Sequence, residues 1–299
     1  MLGPTPKTNI NQRFFAKLAV RETFGVASRT VDERKCAEIF HSLSGSTIMI
    51  AFASNRRFAA FMIHDYPLSA EPTGKRIGKE IFAMLAAGVM MPFGFHQPRT
   101  KTERKKEQRT VVMIHGLGGN HSNLLPLASY LRLQRNAARV LSFNYSASQG
   151  IAGAAIALQQ YLREHVRGGR IDFVCHSLGG VVARYYLQEL GGARRVDHCV
   201  TLGTPHRGTY NAYWLPTRVG RELRPDSAVM QQLERTRANA ARVKFASVVA
   251  GSDTIVVPRV FADHEQVTHF DDLGHVGLLL SPRVWRTVSE ALAEAMPGT

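Results

Sequence analysis

The sequence predicts an α/β fold: a mostly parallel central sheet flanked by helices, with a small cap region. Three observations predict it. Strand-like runs fall near residues 110–114, 139–143, 171–175, 196–202, 243–250 and 265–269. Stretches with apolar residues at helical spacing separate them, which is the alternation of a parallel sheet with its crossover helices. One of the runs ends at a serine and passes at once into a helix pattern. The 299 residues, 44% of them hydrophobic, suffice for one large domain or two small ones and exclude disorder as the class.

The serine stands in Ile171-Asp172-Phe173-Val174-Cys175-His176-Ser177-Leu178-Gly179-Gly180. A strand, a sharp turn and a helix in that order present a nucleophile at the end of a sheet. Leu178, Val182, Tyr185 and Leu190 recur at helical spacing, and Gly191-Gly192 supplies a stop. Ser177 therefore precedes a helix N-terminus, where unpaired amides favour developing negative charge. The turn demands small residues two before and two after the serine. Gly179 meets the demand, and Cys175 occupies the other position, where glycine is usual, with a modest side chain.

Such a serine needs amide donors, a base and an orienting acid. Thr110-Val111-Val112-Met113-Ile114 is a strand that runs into His115-Gly116-Leu117-Gly118-Gly119-Asn120. The glycines let the backbone approach a substrate, so Leu117 is the candidate for one oxyanion amide and Leu178 for the other. The loop lacks the lysine followed by Ser or Thr of a phosphate loop, and its glycines lack dinucleotide-fold spacing.

Val243 to Ala250 reads as another buried strand, and Asp253 lies just beyond it in Gly251-Ser252-Asp253-Thr254. Loops at that end of an open α/β sheet carry its ligand-facing residues, so Asp253 is the candidate acid. Asp263, Asp271 and Asp272 are its rivals. The candidate base is His275 in Leu273-Gly274-His275-Val276-Gly277, in a loop before a final helix that starts near Ser281-Pro282. His115, His176, His206, His264 and His269 compete with it. His115 and His176 read better as loop-packing residues, and the spacing of the histidines matches no metal-ligand pair. No metal and no cofactor is expected. The order Ser177, Asp253, His275 is that of the α/β-hydrolases rather than of the chymotrypsin or subtilisin arrangements.

From about residue 108 onward the chain resembles bacterial triacylglycerol lipases and related esterases of the α/β-hydrolase superfamily. The stretches that carry the resemblance are VVMIHGLGGN, IDFVCHSLGGVVARYYLQEL, VTLGTPHRGT, LRPDSAVMQQL, GSDTIVVP and LGHVGLLLSPRV. The resemblance implies a serine hydrolase that cleaves carboxylic esters, often with acyl chains. It implies Ser177 as nucleophile, Asp253 as acid, His275 as base, and the amides of Leu117 and Leu178 as the oxyanion hole. An acyltransferase, thioesterase or phospholipase would use the same triad, and a non-catalytic membrane-associated protein with this fold is the alternative from another class.

The expected organisation is an N-terminal region over 1–98, a basic linker over 99–109 and a catalytic domain over 110–299. A cap near 205–240 holds Tyr210, Tyr213, Trp214 and Leu215, with a surface loop as its alternative. Residues 81–95 are uncharged and largely apolar, too short a run for the roughly 20 residues of a spanning helix. They read equally as membrane contact and as packing on the core. Residues 99–109 follow with six Lys or Arg against two Glu, and the chain carries a net charge of +15. That balance suits an anionic membrane surface, whereas nucleic acid binding would need a basic helix or an aromatic groove that the sequence lacks. The expected partner is a small ester or lipid substrate, and oligomeric state is left open. Cys36, Cys175 and Cys199 form no secreted disulfide framework, and no cleavable leader is evident. The expected location is the cytoplasm or the cytoplasmic face of a membrane, with all three cysteines reduced.

Overall fold

The computed structural model describes residues 47–54, 57–64, 73–90, 109–134, 139–256 and 266–293. Two strands, β1 (Thr47–Ser54) and β2 (Arg57–His64), pair with each other, and helix α1 (Thr73–Met90) follows. The main body is a six-stranded, wholly parallel sheet. Its strands are β3 (Thr110–Ile114), β4 (Arg139–Phe143), β5 (Ile171–His176), β6 (Val196–Leu202), β7 (Lys244–Ala250) and β8 (Gln266–Phe270), in the spatial order β4-β3-β5-β6-β7-β8. These are the six segments the strand-like runs mark, each within a residue or two.

The strands hold because both faces are covered. Successive side chains on a strand point to opposite faces. Val112, Ile114, Phe173, Cys175 and Cys199 face one core, shared with helices α3 (Gly150–His165) and α4 (Leu178–Glu189). Val111, Met113, Val174, Val200 and Val248 face the other, shared with α2 (Leu125–Gln134), α7 (Gly277–Leu280) and α8 (Pro282–Ala293). A parallel sheet buried on both sides reads as continuous apolar runs rather than alternation, which is why its strands are legible in the sequence. Cys175 and Cys199 are free thiols buried in the first core, and Cys36 lies outside the described residues.

Between β6 and β7 lies the stretch 205–240 that the sequence reads as a cap or a surface loop. A 3-10 turn (Tyr210–Trp214) and two short helices, α5 (Arg218–Glu222) and α6 (Ala228–Arg235), occupy the insertion. It is tied down from within. The buried Arg184 of α4 donates to the carbonyls of His206 and Leu233 at 2.6 and 3.2 Å. Glu222 accepts the amide of Ile151 at 2.6 Å, a carboxylate set at the positive end of α3.

The N-terminal ends of the strands carry an ionic cluster. Asp172 on β5 is fully buried, with the guanidinium of Arg109 at 2.8 Å and His198 Nδ1 at 2.9 Å. Arg109 also reaches Asp197 at 2.6 Å, and Arg170 pairs with the other oxygen of that carboxylate. The sequence reads 99–109 as an exposed linker. Residues 99–108 lie outside the described ones, but Arg109 is three-quarters or more enclosed and ion-paired. A buried carboxylate without its cation is strongly unfavourable, so Arg109 acts as part of the core.

Candidate active site

Everything proposed for chemistry lies at the opposite, C-terminal end of the sheet. Ser177 links β5 to α4 with φ 52° and ψ −123°, and it has positive φ alone among the described non-glycine residues. Such a conformation costs on the order of 1–3 kcal/mol and persists only where its surroundings enforce it. Here the Ser177 amide donates to the carbonyl of Leu202 at 2.9 Å, and its carbonyl accepts from Gly180 at 3.0 Å. Gly179 makes the turn possible: a Cβ there would stand 2.5 Å from the carbonyl oxygen of Ile114 and 2.6 Å from that of His115. Leu178 opens the helix, so its amide belongs to the first turn, which lacks intrahelical partners.

The loop after β3 crosses the elbow closely. A Cβ on Gly116 would lie 3.0 Å from the Cβ of Ser177, so only glycine lets this backbone, and with it Leu117, come so near the serine. The loop is latched to the segment after β4. Tyr145 donates its hydroxyl to the carbonyl of His115 at 3.0 Å and its amide to His115 Nε2 at 3.3 Å, and the two rings stack at 4.5 Å. His115 Nδ1 then donates to the carbonyl of Gly116 at 2.9 Å. One ring nitrogen accepts and the other donates, which is the neutral imidazole. Asn144 accepts the amide of His121 at 2.7 Å and donates to its Nδ1 at 3.0 Å, closing the same latch one turn later.

Asp253 and His275 meet as the sequence order anticipates. His275 Nδ1 lies 2.7 Å from Asp253 Oδ2, and both side chains are almost wholly buried. The second carboxylate oxygen accepts the amides of Ile255 at 2.8 Å and Val256 at 2.9 Å. Burial opposes the charge on Asp253, but the bond to His275, its charge and the two amides outweigh burial and hold the carboxyl below its usual range. His275 is brought to the elbow by two contacts. His176, the residue before Ser177, donates Nε2–H to the carbonyl of His275 at 3.3 Å, with ring centroids 4.8 Å apart. Gly203, at the end of β6, leaves the imidazole room.

The rivals sit elsewhere. Asp272 pairs with Arg283 at the surface, and Asp271 packs against Gly251. His206 is buried against Thr201 Oγ1 at 3.0 Å, under the cap insertion. His269 lies on the edge strand β8, and Asp263 and His264 lie outside the described residues. Among the described residues no cluster of His, Cys, Asp and Glu is arranged to hold a metal. The pairs formed by Tyr145 and Asn144 escape the sequence reading. Their one signal is the polar Asn-Tyr-Ser directly after a buried strand.

Three imidazoles here are held neutral. Burial pulls His176 down to about 3 and His115 to about 4, and burial with the charges of Arg184 and Arg237 lowers His206 well below its ordinary value. An unfolded imidazole titrates near 6.5. Below that pH the unfolded chain binds protons that the folded chain refuses, so stability falls as pH falls. The lowered Asp253 carboxyl adds a loss in the same direction further into acid. Denaturant titrations are expected to show stability falling between about pH 7 and about pH 4.5, with roughly 2 to 3 kcal/mol lost for each of His115 and His176. A flat profile over that window would show that these rings are protonated in the folded protein.

Residues 104–237 match the family described as "Putative serine esterase (DUF676)". The match contains Leu117, Ser177 and Leu178 and ends before Asp253 and His275. Among solved structures, the mature form of Bacillus licheniformis lipase BlEst2 is 16% identical over 64% of this chain and 95% of that one, with a TM-score of 0.51. Aspergillus fumigatus lipase B is 14% identical over 98% of this chain and 78% of that one, with a TM-score of 0.54.

Proposed function

We propose that this chain, an α/β-hydrolase whose residues 104–237 match the family described as "Putative serine esterase (DUF676)", cleaves carboxylic esters through an acyl-enzyme. The observation that carries the proposal is the buried Asp253–His275 pair at 2.7 Å, set beside a serine held at positive φ.

Ser177 Oγ attacks the ester carbonyl carbon while its proton passes to His275 Nε2. Asp253 holds the proton of Nδ1 and so keeps Nε2 free to accept. The carbonyl oxygen becomes an oxyanion and takes hydrogen bonds from the amides of Leu117 and Leu178. As the carbon–oxygen bond to the alcohol breaks, His275 returns its proton to the leaving oxygen. Water then attacks the acyl-enzyme, gives a proton to His275, and the released serine recovers it as the acid departs. The latch of Tyr145 and His115 fixes the oxyanion loop before substrate arrives, so no reorganisation is needed at the moment charge develops.

A fluorophosphonate mimics the tetrahedral intermediate and tests the reading directly. The full chain is expected to gain one adduct, mapped by peptide mass to Ser177, and to hydrolyse acyl esters in a panel of increasing chain length. An adduct on another serine, or none on a folded chain, would overturn the assignment. Adding an alcohol or thiol acceptor to the same panel separates release of free acid from acyl transfer.

A further inference from the structure

Eleven large apolar side chains are exposed among the described residues, and nine of them belong to elements around the catalytic end of the sheet. Leu117 stands on the oxyanion loop, Ile255 on the acid loop, and Tyr213 and Trp214 on the cap turn. That turn is laced to the acid loop by Asn211, which donates to the carbonyls of Thr254 and Ile255 at 2.7 and 3.0 Å. The other five are on α1: Ile81, Phe82, Met84, Leu85 and Val89. This helix packs against the turn His121–Leu124, just after the oxyanion loop, and against α7, just after His275.

The orientation of α1 is inverted relative to a core helix. At about 100° per residue, Ile81, Phe82, Met84, Leu85 and Val89 fall on one broad arc, and Ala83 lies opposite. The small Ala83 is buried, whereas Phe82 is 71% exposed, Leu85 65% and Val89 72%; Trp214 on the cap reaches 87%. A helix that buries its alanine side and turns its large side chains outward leaves contiguous apolar surface in water, the mark of an interaction face.

Charge identifies what covers it. Lys75, Arg76, Lys79 and Glu80 give the first two turns of α1 a net charge of +2, no charged residue follows from Ile81 to Met90, and the basic run 99–109 comes next, in a chain of net charge +15. No helix among the described residues is long and apolar enough to cross a membrane. An apolar face flanked by cations, with exposed Trp and Tyr on another loop of the same end of the sheet, suits the plane between headgroups and acyl chains. We infer that α1 and the cap turn dock the catalytic end of the molecule on an anionic lipid surface, so that the site opens toward the lipid. A second copy of the chain would bring the same cations against one another.

The test uses the full chain carrying Ser177→Ala, so that vesicles stay intact and docking is read apart from hydrolysis. Flotation with phosphatidylcholine vesicles containing phosphatidylglycerol is expected, weaker without the anionic lipid and reduced but not abolished by salt. Adding Phe82→Ser, Leu85→Ser and Val89→Ser is expected to lower partitioning about a hundredfold. In the active background these three changes are expected to leave hydrolysis of a soluble short-chain ester unchanged. A second readout needs no change to α1: with Trp285→Phe, emission from Trp214 is expected to shift to the blue on adding vesicles and to be quenched by brominated acyl chains. Flotation of the triple variant equal to its parent, no flotation of the parent, an unmoved Trp214 spectrum, or a parent dimer that the triple variant dissociates would each overturn the inference. Flotation without hydrolysis of any ester by the wild type would leave docking standing and remove the esterase reading instead.

Discussion

Ser177→Ala is expected to lower turnover of a short acyl ester by about a million-fold while the chain keeps its fold. Removing the oxygen deletes the nucleophile, and the water that replaces it has neither the position nor the proton path. The substitution asks little of the structure. The backbone at 177 is held by its amide bond to Leu202 and its carbonyl bond from Gly180, neither of which involves the hydroxyl. Alanine tolerates the strained turn no worse than serine, so thermal melts of the two proteins are expected to superimpose. Turnover retained at more than about a hundredth of the parent rate would mean that another group attacks the ester.

Asp253→Asn is expected to cost about ten-thousandfold in kcat with little change in KM. The geometry specifies why. The amides of Ile255 and Val256 both point at one oxygen, Oδ1, and an asparagine would keep its carbonyl there. Its NH2 group would then face His275 Nδ1, where Oδ2 now accepts. That forces Nδ1 to become the acceptor and moves the ring proton to Nε2, the nitrogen that must receive the proton of Ser177. Binding survives and proton transfer does not. Asp272→Asn serves as the comparison, because its carboxylate pairs with Arg283 at the surface, and its effect is expected to be slight. Loss at Asp272 with near-normal turnover at Asp253 would reassign the acid.

Much of this was legible in the sequence for physical reasons. Buried parallel strands are continuous apolar runs, so β3, β5 and β6 stand out against polar helix faces. Ser177, Asp253 and His275 each follow such a run or a glycine turn, and the parallel topology gathers all strand ends on one side. The rest depends on pairings across distance. Nothing near Tyr145 says that its hydroxyl reaches His115, 30 residues earlier. Asp172 reads as an ordinary interruption in a strand until Arg109 and His198 are seen around it. The run from Ile81 reads equally as membrane contact and as core packing because it is apolar; hydropathy does not say which side of a helix faces out. Residues 31–63 mix helix and strand patterns, so the pair β1–β2, which falls within them and one residue beyond, is not legible in the sequence.

The Arg109–Asp172 pair also sets where the hydrolase can be cut from what precedes it. A boundary drawn at residue 110, where the first strand of the sheet begins, looks clean by secondary structure. It would nevertheless discard the guanidinium that lies 2.8 Å from a fully buried carboxylate. The proposed triad would be complete in such a fragment, yet Asp172 would lose its guanidinium contact and keep His198 Nδ1 at 2.9 Å. A shortened chain that means to preserve the sheet therefore begins at or before Arg109, and a fusion partner or protease site belongs upstream of that residue rather than between it and β3.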